Sequence, residues 1–240
     1  MFKDCRSLES LDISNLNLSL ITSMQSSFYG CSSLKSLDLS KLETNSLTNT
    51  QNMFSFCESL ETINFTNFNT SLVTNFSYMF YGCTSLKSLD LSSFNTSFVN
   101  DMSYLFSNCY NIKELKLTSF NTSLVNNMDS MFSDCNSLTS IDLSSFNTSK
   151  VIIMSNMFKN CIGLISLDLS NFNIQKGIEL NNMFYGCSDL KYINFYNFNG
   201  EESKVRDIFY KTSKNLILCV NEKFSKYIIL ILLLSEFIFL

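Results

Sequence analysis

Residues Cys83 to Asn108 read C-T-S-L-K-S-L-D-L-S-S-F-N-T-S-F-V-N-D-M-S-Y-L-F-S-N, and this 26-residue stretch recurs along the chain. The cysteines mark its period. Cys5, Cys31, Cys57, Cys83, Cys109, Cys135, Cys161 and Cys187 are each 26 residues apart, with no insertion between them. Only Cys219 stands off this grid, 32 residues beyond Cys187. A fixed period of this length is the signature of a repeat architecture.

Other columns keep the same register. Three residues after each cysteine stands an aliphatic residue, from Leu8 and Leu34 through Ile112 to Leu190. Further apolar columns run through Leu37, Leu89 and Ile193, through Leu39, Leu91 and Phe195, and through Leu42, Phe94 and Phe198. A compact enzyme core needs different residues at each position. A solenoid needs the same residue at the same place in every coil, because each coil packs only on its neighbours.

The two halves of the unit carry different periods. In the first half, Leu89, Asp90, Leu91 and Ser92 alternate apolar with polar, which predicts a short strand with one buried face. In the second half, Val125, Met128, Met131, Phe132 and Cys135 follow spacings of three, three, one and three, which predict one face of a short helix. Asn121-Thr122-Ser123 reads as its start signal. Gly30, Gly82, Asn108, Asn160 and Gly186, each before a cysteine, read as left-handed caps at its end, with Phe56 and Asp134 as exceptions. The expected fold is therefore an α/β repeat solenoid, each coil one short parallel β-strand plus a short helix. Eight coils would stack into a core about 40 Å long.

The unit M-F-x-x-C-x-S-L-x-S-L-D-L-S-x-F-N-T-S-x-V resembles the BspA-like surface-protein repeat, a branch of the leucine-rich-repeat proteins. Met79, Phe80, Cys83, Leu86, Leu89, Asp90, Leu91, Phe94, Asn95, Thr96 and Val99 match it in one unit, and the resemblance covers residues 1–210. It weakens at the end, where Gly177 and Leu180 replace the Val and Met. The resemblance implies a leucine-rich-repeat solenoid that is secreted or displayed at the cell surface for adhesion or host contact. It implies no catalytic residue.

Composition narrows the function classes. The 240 residues are 45% hydrophobic and carry a net charge of −4, so a packed core is expected and a nucleic-acid partner is not. The chain has no histidine, hence lacks the commonest general base and metal ligand. No nucleophile–base or metal constellation is visible, so the expectation is a non-catalytic protein without cofactor or metal, binding a protein or a host surface. The alternative is an intracellular scaffold for protein–protein interaction, which nine cysteines in a reducing compartment would suit.

Three features could carry function or merely serve the coil. The cysteine ladder could be a disulfide framework, a metal ladder or core, and core is the reading the residues favour. Asp12, Asp38, Asp90, Asp142 and Asp168 form a column expected to point out of the strands on a concave face, interrupted by Asn64, Lys116 and Asn194. Stacked carboxylates would favour a cation or a basic partner, unless each bonds its own backbone instead. Departures from the columns are the other signal. Glu114 and Lys116 replace Ser and Asp in one coil, and Tyr192 and Tyr196 replace Ser in the last. The candidate partner-binding set is thus Asp38, Asp90, Glu114, Lys116, Asp142, Asp168, Tyr192 and Tyr196. The sequons at Asn69, Asn95, Asn121 and Asn147 coincide with the Asn-Thr-Ser signal, so a capping role is expected before glycosylation.

The expected organisation is a solenoid over residues 1–212 that starts inside a repeat, followed by a distinct segment over 213–240. Asn215 to Val220 (N-L-I-L-C-V) predicts a last strand. Tyr227 to Leu240 is an apolar tail, read either as a cap on the solenoid or as a partial membrane anchor through residues 227–240.

Overall fold

The structure is a computed structural model and describes residues 1–173, 177–197 and 203–221. The apolar tail from Tyr227 and the column residue Phe198 lie outside the described residues.

Seven short strands stand among the described residues: β1 (Ser36–Asp38), β2 (Thr62–Asn64), β3 (Ser88–Asp90), β4 (Glu114–Lys116), β5 (Ser166–Asp168), β6 (Tyr192–Phe195) and β7 (Ile217–Val220). All pairings are parallel. Ser36 faces Thr62, Ser88 faces Glu114 and Ser166 faces Tyr192, so the register is the repeat itself. β7 is the last strand predicted from Asn215 to Val220, and it joins β6 with Tyr192 opposite Ile217. Residues 140–142 occupy the same place in the coil between β4 and β5 without forming a regular strand. The middle residue of β1, β3, β4 and β5 is buried and its neighbours are exposed, as alternation in the sequence requires.

The second half of the unit is not a helix. No helix is formed among the described residues, and the backbone hydrogen bonds give the reason. Helix formation would send each N–H to the carbonyl four residues back. Here the N–H groups of Met128, Ser130, Phe132 and Asp134 donate instead to Ile153, Ser155, Met157 and Lys159 in the next coil, at 2.7–2.9 Å. The alternate residues Met131, Ser133 and Cys135 close tight turns onto the carbonyls of Met128, Ser130 and Phe132. Two residues in each such segment take left-handed backbone: Ser130 (φ 54) and Asp134 (φ 62) in this coil, Asn156 (φ 58) and Asn160 (φ 56) in the next. Two successive turns therefore reproduce the three-residue spacing of a helix face, and Val125, Met128, Met131, Phe132 and Cys135 are all fully buried. The expected left-handed residues before each cysteine are present, Phe56 (φ 60) and Asp134 included, but they end turns and not helices. Each coil is thus strand and turns throughout, and the molecule is a β-solenoid.

A second parallel ladder runs along this side, one bridge per coil, through Ser23, Asn49, Asn75, Asp101, Asn127, Ile153, Glu179 and Lys204. The Asn-Thr-Ser signal also acts between coils. Asn95 Oδ1 accepts from the Ser97 N–H at 3.0 Å, the local bond a cap would make, though no helix follows it. Thr96 is buried, donates its hydroxyl to the Asn121 carbonyl at 2.9 Å, and accepts from the Asn121 N–H at 2.8 Å. The same pair of bonds recurs at Thr44, Thr70, Thr122 and Thr148. A hydroxyl that both donates and accepts is what this buried position needs, which accounts for Thr in every unit from the second to the sixth.

The core is built from stacked columns. Phe2, Phe28, Phe54, Phe80, Phe106, Phe132, Phe158, Phe184 and Phe209 form one row, with neighbouring rings 5.4–5.8 Å apart and within 14° of parallel. Burying each ring contributes about 1.5–3 kcal/mol, and stacking adds about 0.5–1.5 kcal/mol. Beside this row lie the cysteines, none in a disulfide. The thiols of Cys57, Cys83, Cys109, Cys135, Cys161 and Cys187 each donate to the phenylalanine carbonyl of the preceding coil, at 3.0–3.2 Å. The ladder from Cys31 to Cys187 is core, whereas Cys5 is exposed, and a small side chain with one weak donor fits a site that offers one carbonyl.

Candidate functional site on the strand face

The strands place their outward residues in rows that cross the coils at the strand spacing of about 4.8 Å. On the row that follows the buried strand centre stand Asp12, Asp38, Asn64, Asp90, Lys116, Asp142, Asp168 and Asn194. Most of these side chains have a local task. Oδ1 of Asp12, Asp38, Asp90, Asp142 and Asp168 accepts from the N–H of the serine two residues on, at 2.8–3.0 Å. Asn64 and Asn194 make the same bond to Thr66 and Tyr196. An uncharged amide therefore serves as well as a carboxylate, and the column repeats because the turn after each strand needs an acceptor.

Asp12 is held below its ordinary range by hydrogen bonds from Ser14. Hydrogen bonds from Ser40 hold Asp38 below its ordinary range, and bonds from Ser144 do so for Asp142. Asp90 is lowered to about 2, first by Ser92 and then by Lys116. Lys116 stands opposite Asp90 in the strand register and its Nζ reaches Asp90 Oδ2 at 3.1 Å. That bond, and after it the charges of Asp90 and Glu114, raise the Lys116 ammonium. Glu114 is exposed on the parallel row, opposite Ser88.

Tyr192 and Tyr196 are exposed at 39% and 51%. Tyr192 sits between Ser166 and Ile217 in the sheet, and its hydroxyl is raised above the usual range, first by a bond with Cys219. The two departures from the repeat do not meet. Three steps along the row, through Asp142 and Asp168, separate Lys116 from Asn194, about 14 Å at the usual strand spacing. The strands fall into three ladders, β1–β2, β3–β4 and β5–β6–β7, with the charge-paired coil in the second and the tyrosine-bearing coil in the third.

The opposite side of the coil carries a cluster that column reading missed. The rings of Tyr78 and Tyr104 stack at 4.5 Å and 5°, Tyr81 lies edge-on to both, and Phe56 lies edge-on to Tyr81. Tyr78 and Tyr104 share one column, whereas Tyr81 and Phe56 belong to two others, so no single column marks the whole cluster.

The parallel register, the solenoid core and the exposed strand rows together define a leucine-rich-repeat-like solenoid assembled from tandem repeats. The chain belongs to the family described as "Mycoplasma protein of unknown function, DUF285", which matches residues 1–115 and 86–198 and so spans the repeats that carry the resemblance given above. No curated protein matches it. Among solved structures it is similar to a leucine-rich repeat protein from Bacteroides ovatus, at 21% identity and a TM-score of 0.38, over 82% of this chain and 66% of that one. It is also similar to a leucine rich cell surface protein from Faecalibacterium prausnitzii, at 15% identity and a TM-score of 0.32, over 85% of this chain and 77% of that one.

Proposed function

We propose that this chain is a non-catalytic protein-binding module, displayed at the cell surface or secreted, that contacts its partner through the strand face. The observation that carries the reading is the exposure of Glu114, Lys116, Tyr192 and Tyr196 on rows where the coil needs only a turn acceptor or a small polar residue. Side chains that the fold does not require are available for recognition, and exposed tyrosine supplies contact area at low entropic cost. Adhesion or host contact is what the BspA-like character of the repeat implies.

Binding of the purified protein to immobilised extracellular-matrix proteins tests this. The Lys116→Ala/Tyr192→Ala/Tyr196→Ala variant is expected to bind about tenfold more weakly or worse, as loss of central anchors does. Unchanged binding by that variant overturns the strand-face assignment. Location is tested by trypsin treatment of intact producing cells, which should remove the protein.

Nine cysteines outside any disulfide favour a second reading, an intracellular scaffold for protein–protein interaction. Protection of the whole population from trypsin on intact cells would establish it and exclude surface display.

A further inference from the structure

The turn side of the middle coils bears an aromatic platform set among carboxylates. Tyr78, Tyr81 and Tyr104 are half-buried there, Phe56 and Tyr110 are exposed, and all three tyrosines of the platform lie within 6.2 Å of one another by ring centroid. Asp101, Asp129 and Asp134 flank it. Burial pushes the Tyr78 hydroxyl up to about 12, with Tyr104, Asp129, Tyr81 and Asp101 adding to the effect. Tyr110 is raised by burial, then by Asp134 and Tyr81. The hydrogen bonds these carboxylates accept come from neutral donors: the Ser103 N–H on Asp101, the Asn156 amide and Tyr104 hydroxyl on Asp129, and the Asn160 amide and Ser133 hydroxyl on Asp134.

The same side shows what completes such a platform. Toward one end Lys3 stands over the Tyr29 ring at 5.0 Å. Toward the other, Lys159 and Lys211 stand over Tyr185 at 5.7 and 5.6 Å, and Lys211 also covers Tyr210. Between them, residues 43–86, 88–112 and 117–149 contain no Lys or Arg. Among the described residues, no chain cation covers Tyr78, Tyr81 or Tyr104. The coil does not ask for these tyrosines. At the same left-handed position other coils carry Ser26, Asn52, Ser130, Asn156 and Asn182, whereas Tyr78 (φ 59) and Tyr104 (φ 58) hold a bulky residue in that conformation.

We propose that this platform binds a cationic peptide segment of a protein partner, with Lys or Arg side chains seated on the tyrosine rings between Asp101, Asp129 and Asp134. Ring faces attract a cation through their quadrupole, and flanking carboxylates supply the complementary charge. This surface lies apart from the strand face, so it adds a second contact and does not depend on the first.

The test is calorimetric titration of the full chain with an acetylated, amidated hexa-arginine peptide, with hexa-glutamate as the reference. Saturable binding that weakens with salt is expected for hexa-arginine alone. The Tyr78→Asn/Tyr104→Asn variant carries the residue other coils use and should unfold at a temperature close to that of the parent. It is expected to bind about tenfold more weakly, as is Asp129→Asn/Asp134→Asn. Lys116→Ala/Tyr192→Ala, on the strand face, should bind as the parent does. Full binding by the tyrosine variant would reduce the attraction to net charge and overturn the proposal. Loss of binding in the strand-face variant, or equal binding of a neutral oligosaccharide, would overturn it too.

Discussion

The rings of Phe80 and Phe106 lie 5.8 Å apart and 3° from parallel, in the middle of a row that runs from Phe2 to Phe209. Because Phe106 stacks on Phe80 on one side and Phe132 on the other, Phe106→Ala removes two stacks and opens a cavity in a fully buried site. A loss of about 3–5 kcal/mol is expected, read as a fall in the urea midpoint. Phe2 is half-buried with one ring neighbour in the row, so Phe2→Ala should cost clearly less. Equal costs at the two positions would mean that the coils do not share one continuous interior.

The buried thiols make stability depend on alkaline pH. Burial holds Cys109 and Cys187 protonated up to about 12 in the folded chain, against an ordinary value of 9.0, and raises Cys83, Cys135 and Cys161 as well. With folded values above unfolded ones, the contribution is complete below about pH 9 and is lost as pH rises toward 12. The unfolding free energy, followed through the urea midpoint, should therefore fall over that window, by at most about 1.4 kcal/mol per pH unit for each thiol. Cys109→Ala should make the fall shallower. A thiol-specific reagent at pH 8 should label exposed Cys5 well before any of the seven buried cysteines.

Asp90 separates the two roles of its column. Asp90→Asn keeps an acceptor for the Ser92 N–H, as Asn64 and Asn194 do in their coils, and gives up only the exposed ion pair with Lys116. It should change stability by under about 1 kcal/mol. Asp90→Ala leaves the turn without its acceptor and should cost about 1 kcal/mol more. In the parent, acid should remove the Asp90 contribution as pH falls through 3.8 toward about 2, because the folded value is the lower one. Thermal unfolding of the three proteins at neutral and acid pH checks both statements.

The stacking axis, the buried columns and the last strand were legible in the sequence because a solenoid writes each contact once per coil. Cys83, Leu86 and Leu89 recur at a single spacing, and all three are buried in the structure. The second half of the unit misled for a physical reason. Val125, Met128, Met131 and Phe132 have the spacing of a helix face, and two consecutive turns give the same spacing. The discriminating signal lies four residues apart. Ser130 and Asp134, or Asn156 and Asn160, tolerate left-handed backbone twice within one segment, which a helix interior would not carry. Far-UV circular dichroism should accordingly show a β-type spectrum without the double minimum of α-helix. On the strand face, exposure of Tyr192 and Tyr196 could be read from their departure from the column. Tyr78 and Tyr104 depart from their column in the same way, but their meeting with Tyr81 and Phe56 was not legible, since it joins residues from several columns and coils.

Each coil makes its bonds to the coil on either side, so whole units should be removable. Deleting residues 84–109 takes out one full unit and joins Cys83 to Tyr110, the residue that follows the next cysteine. Phe80 then stacks on Phe132, the Thr70 hydroxyl meets the Asn121 backbone, and every column stays in register. Cooperative unfolding should survive, with a lowered midpoint because one interface between coils is lost. Deleting residues 84–96, half a unit, sets strand positions of one coil against turn positions of the next. The phenylalanine and cysteine rows are then interrupted, and the chain should aggregate or unfold without cooperativity. If the half-unit deletion folded as well as the full-unit deletion, register between coils would not be what holds the molecule together.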